Sequence, residues 1–289
     1  MKKFSSISKN RRITNITIGK FDSIHLAHRA LIEALDKNGA VIIIAFKGDS
    51  SSTNQYILTQ HDKKRYISQP IYVIKFDKIK KLSGKKFLKY LQKKLPNLRK
   101  IIVGEDFRFG KNRTNSATDI PKISPLKVQI LPEMRINGTP VHSQNIRAFL
   151  ANGAVDSANL LLGRKYSIKG RVVKGQGIGA KSVFPTINAL VRDYVLPQSA
   201  VYATRTRIKG KVYNSISFIG RRVSADNNFA IESHILGDFA PKASEILGKK
   251  IEIFFIQKIR DNAKFSDLNA LKKQIEIDIK KARAILGKI

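Results

Sequence analysis

The chain has 289 residues, no cysteine and no tryptophan, and its 55 lysines and arginines against 21 acidic residues give a formal charge of +34. This length suggests about two domains, and a hydrophobic content of 42% excludes a wholly disordered chain. Without cysteine there is no disulfide, iron–sulfur cluster or thiolate zinc site. No apolar run forms a signal core or approaches the roughly 18 residues of a membrane span. We therefore expect a cytoplasmic protein with no membrane partner.

The positive charge suggests nucleic-acid binding, because a basic chain attracts polyanions. However, lysine and arginine are spread from Lys2 to Lys288, with only short clusters such as 78–81 and 272–273. Dedicated nucleic-acid binders more often concentrate their charge on one helix or tail. A lysine-rich composition explains this distribution better, so we expect no specific nucleic-acid partner. The oligomeric state is left open by the sequence.

The first half of the chain alternates apolar strands with helical patterns. The patterns predict strands at 13–18, 41–46, 71–74 and 101–103, and helices over 26–35 and 87–95. Continuous apolar strands that alternate with helices predict a parallel sheet covered on both faces, which is a Rossmann-like α/β domain. Ligands bind beyond the carboxyl ends of such strands, so the loop after Ile18 is the first candidate site.

The second half changes character near Leu162 and Gly163, after a predicted helical connector over 145–162. Short β-rich segments separated by turns predict an antiparallel sheet or small β-barrel. Apolar residues between Leu268 and Ala282 then recur on one face of a C-terminal helix. We place the two domains at 1–160 and 161–289. The β-rich segments lie at 167–173, 200–208, 212–219, 229–236 and 251–257.

Two histidines, His25 and His28, follow the first strand at a spacing of three residues. That spacing places both imidazoles on one side of the first turn of a helix. Unpaired N–H groups at a helix N-terminus favour anions, and histidines there can stabilise charge on a transferring phosphoryl group. The same pair could simply pack against or cap the helix. Its position directly after a parallel strand favours a ligand site.

Residues 18–28 read I-G-K-F-D-S-I-H-L-A-H, which resembles the G-x-F-D-G-x-H-x-G-H stretch of the bacterial bifunctional riboflavin kinase/FMN adenylyltransferases, also called FAD synthetases. The resemblance continues in the same order at 103–110, 142–147, 162–164, 170–188, 232–234 and 259–265. Matches in one order along most of the chain are more specific than any single motif. The resemblance implies an α/β nucleotidyltransferase domain followed by a mainly antiparallel β-barrel riboflavin kinase domain with a C-terminal helix.

In the N-terminal domain, the resemblance implies that His25 and His28 contact the ATP phosphates and stabilise the transition state of adenylyl transfer. Arg147 would supply a further positive charge from the other side of the phosphates. By the same resemblance, the residues expected to bind ATP or its phosphates here are Gly19, Phe21 and Asn145. Those expected to bind flavin are Asp106, Phe107 and Phe109, and in the kinase half Arg260.

Four positions in this half depart from the family pattern. Ser23 and Ala27 replace glycines, and His142 and Gln144 stand where the family has serine and threonine. A methyl group at position 27 could crowd a nucleotide that approaches the backbone closely. One alternative is therefore a riboflavin kinase whose adenylyltransferase activity is weakened or lost.

In the kinase half, Gly175, Gly177 and Gly179 permit a backbone-lined phosphate loop, although a flexible β-turn fits the same residues. The F-P-T-I-N sequence at 184–188 resembles the family's F-P-T-A-N, which implies that Thr186 and Asn188 help place Mg²⁺ and the ATP phosphates.

Glu232 matches the family's catalytic glutamate, which would accept the proton of the riboflavin 5′-hydroxyl. A glutamate among apolar residues could otherwise mark the solvent face of a strand. His234 shares that strand face, and a structural role for it is as well supported as a functional one.

Taken together, the resemblance implies ATP-dependent phosphorylation of riboflavin to FMN and adenylylation of FMN to FAD. Mg²⁺ is the expected cofactor, and riboflavin, FMN, FAD and ATP are the expected partners. An alternative from another class is a basic, nucleic-acid-associated protein that has lost catalysis on the same scaffold.

Overall fold

The computed structural model describes residues 1–46, 56–175, 184–222, 228–237 and 243–287. The chain divides into two compact units, Met1–Ser143 and Gln144–Ile289. The boundary between residues 160 and 161 stays a prediction of where the two activities divide. No helix of the described ranges is both long and apolar enough to cross a membrane. The α-helices are α1 (Leu26–Glu33), α2 (Gln60–Lys63), α3 (Gly84–Lys94), α4 (Ile120–Ile123), α5 (Ser143–Ala151), α6 (Val155–Leu162) and α7 (Leu268–Leu286).

The first unit contains a six-stranded sheet in the order β1-β4-β3-β2-β5-β8, and every pairing within it is parallel. The predicted Rossmann-like sheet is confirmed. Four further short strands form two antiparallel pairs, β6 with β7 and β9 with β10. The strands are β1 (Lys2–Lys3), β2 (Asn15–Gly19), β3 (Gly39–Ala45), β4 (Ile71–Lys75), β5 (Lys100–Gly104), β6 (Arg108–Phe109), β7 (Asn115–Ser116), β8 (Lys127–Leu131), β9 (Arg135–Ile136) and β10 (Thr139–Pro140).

The central strands β3 and β5 are buried on both faces of the sheet, which explains their continuous apolar runs. Ile42 and Ile101 belong to one apolar cluster, whereas their neighbours Val41, Ile43 and Ile102 belong to the other. Successive side chains of a strand point to opposite faces, so a strand covered on both sides needs apolar residues at every position.

The second unit contains a closed barrel in the strand order β11-β12-β15-β14-β13-β16, with antiparallel pairing throughout. The predicted barrel and the C-terminal helix are confirmed, and Ala282 and Leu286 of α7 pack against Val201 and Ile216. The connector predicted over 145–162 is two helices, α5 and α6, separated at Gly153, where φ is +73°. The strands are β11 (Tyr166–Val173), β12 (Ile187–Val191), β13 (Ala200–Ile208), β14 (Lys211–Arg221), β15 (Phe229–Ile235) and β16 (Lys250–Asp261).

Five buried hydroxyl groups on β13, β14 and β15 form a closed ring of hydrogen bonds. Oxygen–oxygen distances of 2.8 to 3.1 Å join Thr204 to Ser215, Ser215 to Thr206, Thr206 to Ser233, Ser233 to Ser217, and Ser217 back to Thr204. A buried hydroxyl is costly unless it is hydrogen-bonded. The ring therefore makes polar side chains compatible with the barrel interior.

We expect Thr204→Val to lower the free energy of unfolding by about 1–3 kcal/mol, because the variant keeps the side-chain volume but removes the hydroxyl from Ser215 and Ser217. Thr204→Ser keeps the hydroxyl and is the matched control. Urea titration of both variants measures the difference. A Thr204→Val protein as stable as the wild type would show that the ring contributes nothing to stability.

Candidate active sites

The loop after β2 is held in an unusual backbone conformation. Phe21 and Ile24 both have a φ of +47°, in the left-handed region that residues other than glycine rarely adopt, and both side chains are fully buried. Between them, the hydroxyl of Ser23 lies 2.9 Å from that of Ser143, the first residue of α5. Such strain persists only where the surroundings hold it, and it is common at functional sites.

His25 and His28 are brought together by the start of α1. His25 is the N-cap residue, and its Nδ1 accepts a hydrogen bond of 3.1 Å from the backbone N–H of His28. The two rings stack with their centroids 3.6 Å apart and an interplanar angle of 15°. Because Nδ1 of His25 accepts this bond, it carries no proton, and the ring hydrogen of neutral His25 is on Nε2.

Phe21 supports this pair from within the protein. Its ring centroid lies 4.8 Å from that of His28. At Gly19, the last residue of β2, a Cβ atom would lie only 3.1 Å from the Phe21 ring. The Phe21 ring thus packs against the His28 ring, and the absence of a side chain at Gly19 leaves room for the Phe21 ring.

A cavity of about 680 Å³, which we call the histidine cavity, opens beside His25 and His28. Its walls come from α1, which follows the loop after β2, from the carboxyl ends of β5 and β8 with the residues after them, and from the two residues after β10. β2, β5 and β8 are neighbouring strands of the sheet. This is the edge at which parallel α/β sheets bind ligands. Ala27, Asp106 and His142 also line the cavity, whereas Phe107 and Phe109 do not appear in its lining.

Phe107 and Phe109 instead line a second cavity, of about 440 Å³, which we call the phenylalanine cavity. Their rings stack with centroids 5.7 Å apart. Asp106 and Phe107 are consecutive residues, so the turn after β5 supplies one wall residue to each cavity. The cationic residues lining the phenylalanine cavity are Lys80, Lys81, Arg108, Lys111 and Arg113.

One wall of the histidine cavity carries an ion-pair cluster that sequence reasoning missed. Nε2 of His142 lies 3.0 Å from Oε1 of Glu133, and Arg135 lies 2.6 Å from the other carboxylate oxygen. The N–H of His142, and then the Arg135 guanidinium, hold the pKa of the Glu133 carboxyl below its usual value. Glu133 and His142 are nine residues apart, which is not a helical spacing. No local sequence pattern therefore predicts this ion pair.

Asn145 and Arg147 lie half-buried on α5, within the second unit. Their part in binding the ATP phosphates beside the two histidines stays a prediction.

In the second unit, Asn188 of β12 pairs directly with Glu232 of β15. The Glu232 carboxylate lies 3.1 Å from a guanidinium nitrogen of Arg222, and both side chains are largely buried. An opposite charge at this distance stabilises the ionised carboxylate, the form that can accept a proton. Arg222 directly follows β14, whose last pair with β15 sets Arg221 opposite Phe229, and sequence reasoning did not identify its contact with Glu232.

The other predicted residues of this half are placed as follows. Thr186 is half-buried and immediately precedes β12. Gly175 packs so closely on Asn188 that a Cβ atom would overlap the Asn188 amide. The guanidinium of Arg260 donates to Asp278 of α7 at 2.8 Å and lies 5.4 Å from the Phe265 ring centroid. Gly177 and Gly179 lie outside the described residues.

We expect His142→Ala to raise the pKa of Glu133 toward the ordinary glutamate value, because the first contact that lowers it is removed. A carboxyl with a lowered pKa contributes stability above its unfolded pKa and loses it as pH falls through the folded value. Carbon-13 NMR titration of the Glu133 carboxyl measures the shift, with Asp267→Asn in the second unit as the control variant. An unchanged titration midpoint of Glu133 in His142→Ala would contradict the conclusion that His142 lowers the pKa of this carboxyl.

The chain matches two family models, one described as FAD synthetase over residues 7–145 and one as riboflavin kinase over residues 162–286. A bifunctional riboflavin kinase/FMN adenylyltransferase of Buchnera aphidicola subsp. Schizaphis graminum is 32% identical over 91% of both chains. The enzyme of that name from Bacillus subtilis is 30% identical over 92% of this chain and 90% of its own. The fold is shared with a crystal structure described as a macrolide-efflux protein from Streptococcus pneumoniae, at a TM-score of 0.85, 23% identity and coverage of 98% and 97% of the two chains. The chain therefore belongs to the family of bifunctional riboflavin kinase/FMN adenylyltransferases.

Proposed function

We propose that the barrel unit phosphorylates riboflavin to FMN with ATP and that the α/β unit adenylylates FMN to FAD. The proposal rests on one observation. In each unit, side chains of the types that these reactions require lie side by side: His25 with His28 in the first, and Asn188 with Glu232 in the second.

In the kinase reaction, the 5′-hydroxyl oxygen of riboflavin attacks the γ-phosphorus of ATP. A new oxygen–phosphorus bond forms, the bond from the γ-phosphorus to the β,γ-bridging oxygen breaks, and ADP leaves. Glu232 accepts the hydroxyl proton, and the contact with Arg222 holds this carboxylate in position.

The donor set beside Glu232 fits a hard divalent cation. Thr186 offers a hydroxyl oxygen and Asn188 an amide oxygen, which are donors that Mg²⁺ accepts together with phosphate oxygens. We infer that these two residues hold Mg²⁺·ATP, with the ion neutralising charge on the transferring phosphoryl group when bound. Tight packing of Gly175 on Asn188 favours one orientation of its amide.

In the adenylylation, a phosphate oxygen of FMN attacks the α-phosphorus of ATP, and pyrophosphate leaves. His25 and His28 donate ring N–H groups to the phosphate oxygens as negative charge develops, with Asn145 and Arg147 as the further expected contacts. Two adjacent cavities support the binding of two substrates, ATP in the histidine cavity and FMN in the phenylalanine cavity. Aromatic rings suit the isoalloxazine of FMN, and the surrounding lysines and arginines suit its phosphate.

A riboflavin kinase with weak adenylyltransferase activity is the second candidate, because the Ala27 methyl group lines the histidine cavity. Incubation of the protein with riboflavin, ATP and Mg²⁺, followed by chromatography, separates the two candidates. We expect both FMN and FAD. FMN alone would favour the second candidate, and absence of both products would overturn the proposal.

The two activities are expected to respond separately to substitution. Glu232→Gln should lower FMN formation about 100-fold or more, because the general base is lost, while FAD formation from supplied FMN continues. His28→Ala should do the reverse, with a loss of about 100-fold or more in adenylylation. Steady-state rates of both reactions measure this.

Two exposed residues provide matched controls. His61→Ala removes a histidine whose side chain is 92% exposed, and Glu245→Gln removes an exposed glutamate of the second unit. Both controls should keep both activities. If Glu232→Gln and His28→Ala each impaired both reactions equally while the protein stayed folded, separate sites would be excluded.

A further inference from the structure

Strand β15 carries a histidine, His234, that the proposed chemistry does not use. Its Nδ1 lies 2.9 Å from the backbone carbonyl oxygen of Pro185. Its ring also meets that of Phe184 edge-on, with centroids 5.7 Å apart and an interplanar angle of 85°. Both contacts reach the segment that leads into β12.

This contact occurs where the backbone pairing of β12 and β15 stops. The pairing consists of Asn188 with Glu232 and Ile187 with Ser233. Continued by one residue, the same register would set Thr186 opposite His234, but β12 begins at Ile187. Pro185 has no N–H group to extend the ladder. The His234 side chain therefore binds the incoming segment where backbone hydrogen bonds no longer do.

Thr186 lies between these two points of attachment. On one side it is followed by the residues of β12 that pair with β15, and on the other it is preceded by the carbonyl that His234 binds. Both attachments lead to β15, the strand that carries Glu232. The distance between Thr186 and Glu232 thus depends on a backbone pairing and on one side chain.

We propose that His234 is a positioning residue of the kinase site, and that its Nδ1–H donates to Pro185 and so holds Thr186 in place for Mg²⁺·ATP. This inference rests on the kinase activity proposed for the barrel unit. A carbonyl oxygen only accepts hydrogen bonds, so Nδ1 carries the hydrogen. His234 acts through Thr186 and exchanges no proton with the substrates.

The test compares three substitutions of His234 in the full chain. His234→Asn places an amide N–H group where Nδ1–H stands and cannot serve as a proton acceptor. His234→Gln carries the same group one methylene further out, and His234→Ala lacks it. We expect the Ala and Gln variants to raise the KM for Mg²⁺·ATP about tenfold, as for loss of one oriented hydrogen bond. The Asn variant should stay within about twofold of the wild type, and the KM for riboflavin should change little in all three.

Two further measurements distinguish failure of the proposed His234 role from failure of the proposed kinase function. Amide hydrogen exchange at Thr186 and Ile187 should become faster in the Ala and Gln variants and recover in the Asn variant, which tests the contact without turnover. Wild-type protein that forms no FMN overturns the proposed kinase function, even if the exchange result is as expected.

With an active wild type, three results would each overturn the positioning role of His234. They are an unchanged KM for Mg²⁺·ATP in the Ala variant, an Asn variant as impaired as the Ala variant, and equal increases in the KM for both substrates. Thermal unfolding of each variant shows that the barrel is folded.

Discussion

The pairing of Ile187 with Ser233 and of Asn188 with Glu232 closes the barrel of the second unit. A barrel lacks free edges only when every strand pairs on both sides, and this short ladder is the connection between β12 and β15. Alternate side chains of a strand face opposite sides, so Ser233 joins the buried hydroxyl ring while Glu232 meets Arg222. A shift by one residue would exchange these two faces. Closure of the barrel and assembly of the proposed kinase site therefore depend on the same register.

In the first unit, the corresponding constraint is the parallel alignment of β2, β5 and β8. Their carboxyl ends meet at one edge of the sheet, so the loops that follow them surround a common cavity. The loop after β2 adopts left-handed conformations at Phe21 and Ile24, and complete burial of both side chains offsets that strain. The resulting loop presents His25 and His28 as a stacked pair rather than as two independent side chains.

The structure shows where part of the formal charge of +34 is concentrated. Much of it is dispersed, as the sequence indicates, but part surrounds the phenylalanine cavity. The cluster at 78–81, which is unremarkable in sequence, contributes Lys80 and Lys81 to that cavity. A positive environment raises the local concentration of phosphate-bearing molecules, and salt screens this effect. The charge is therefore compatible with phosphorylated substrates without any need for a nucleic-acid partner.

Local patterns predicted much of the fold. The parallel strands β2 to β5, the helices α1 and α3, five of the six barrel strands and the helix α7 all follow from runs or periodicities of apolar residues, whereas the parallel strand β8 was not predicted. β12 was missed because Pro185 lies two residues before it and its interior carries Asn188, residue types that are rare in strands. β1 was missed because its two residues are both lysines, so it has no apolar pattern.

The sequence by itself determined which segments must be buried, and its motifs identified which side chains carry chemistry. Only the tertiary structure decided which of those side chains meet. The hydrogen bond of Ser23 to Ser143 joins residues 120 positions apart, and the contact of His234 with Pro185 spans 49 positions. Whether a segment is buried depends on the hydrophobicity of its own residues. Contacts depend on strand order and register, which are set when all the strands pair together.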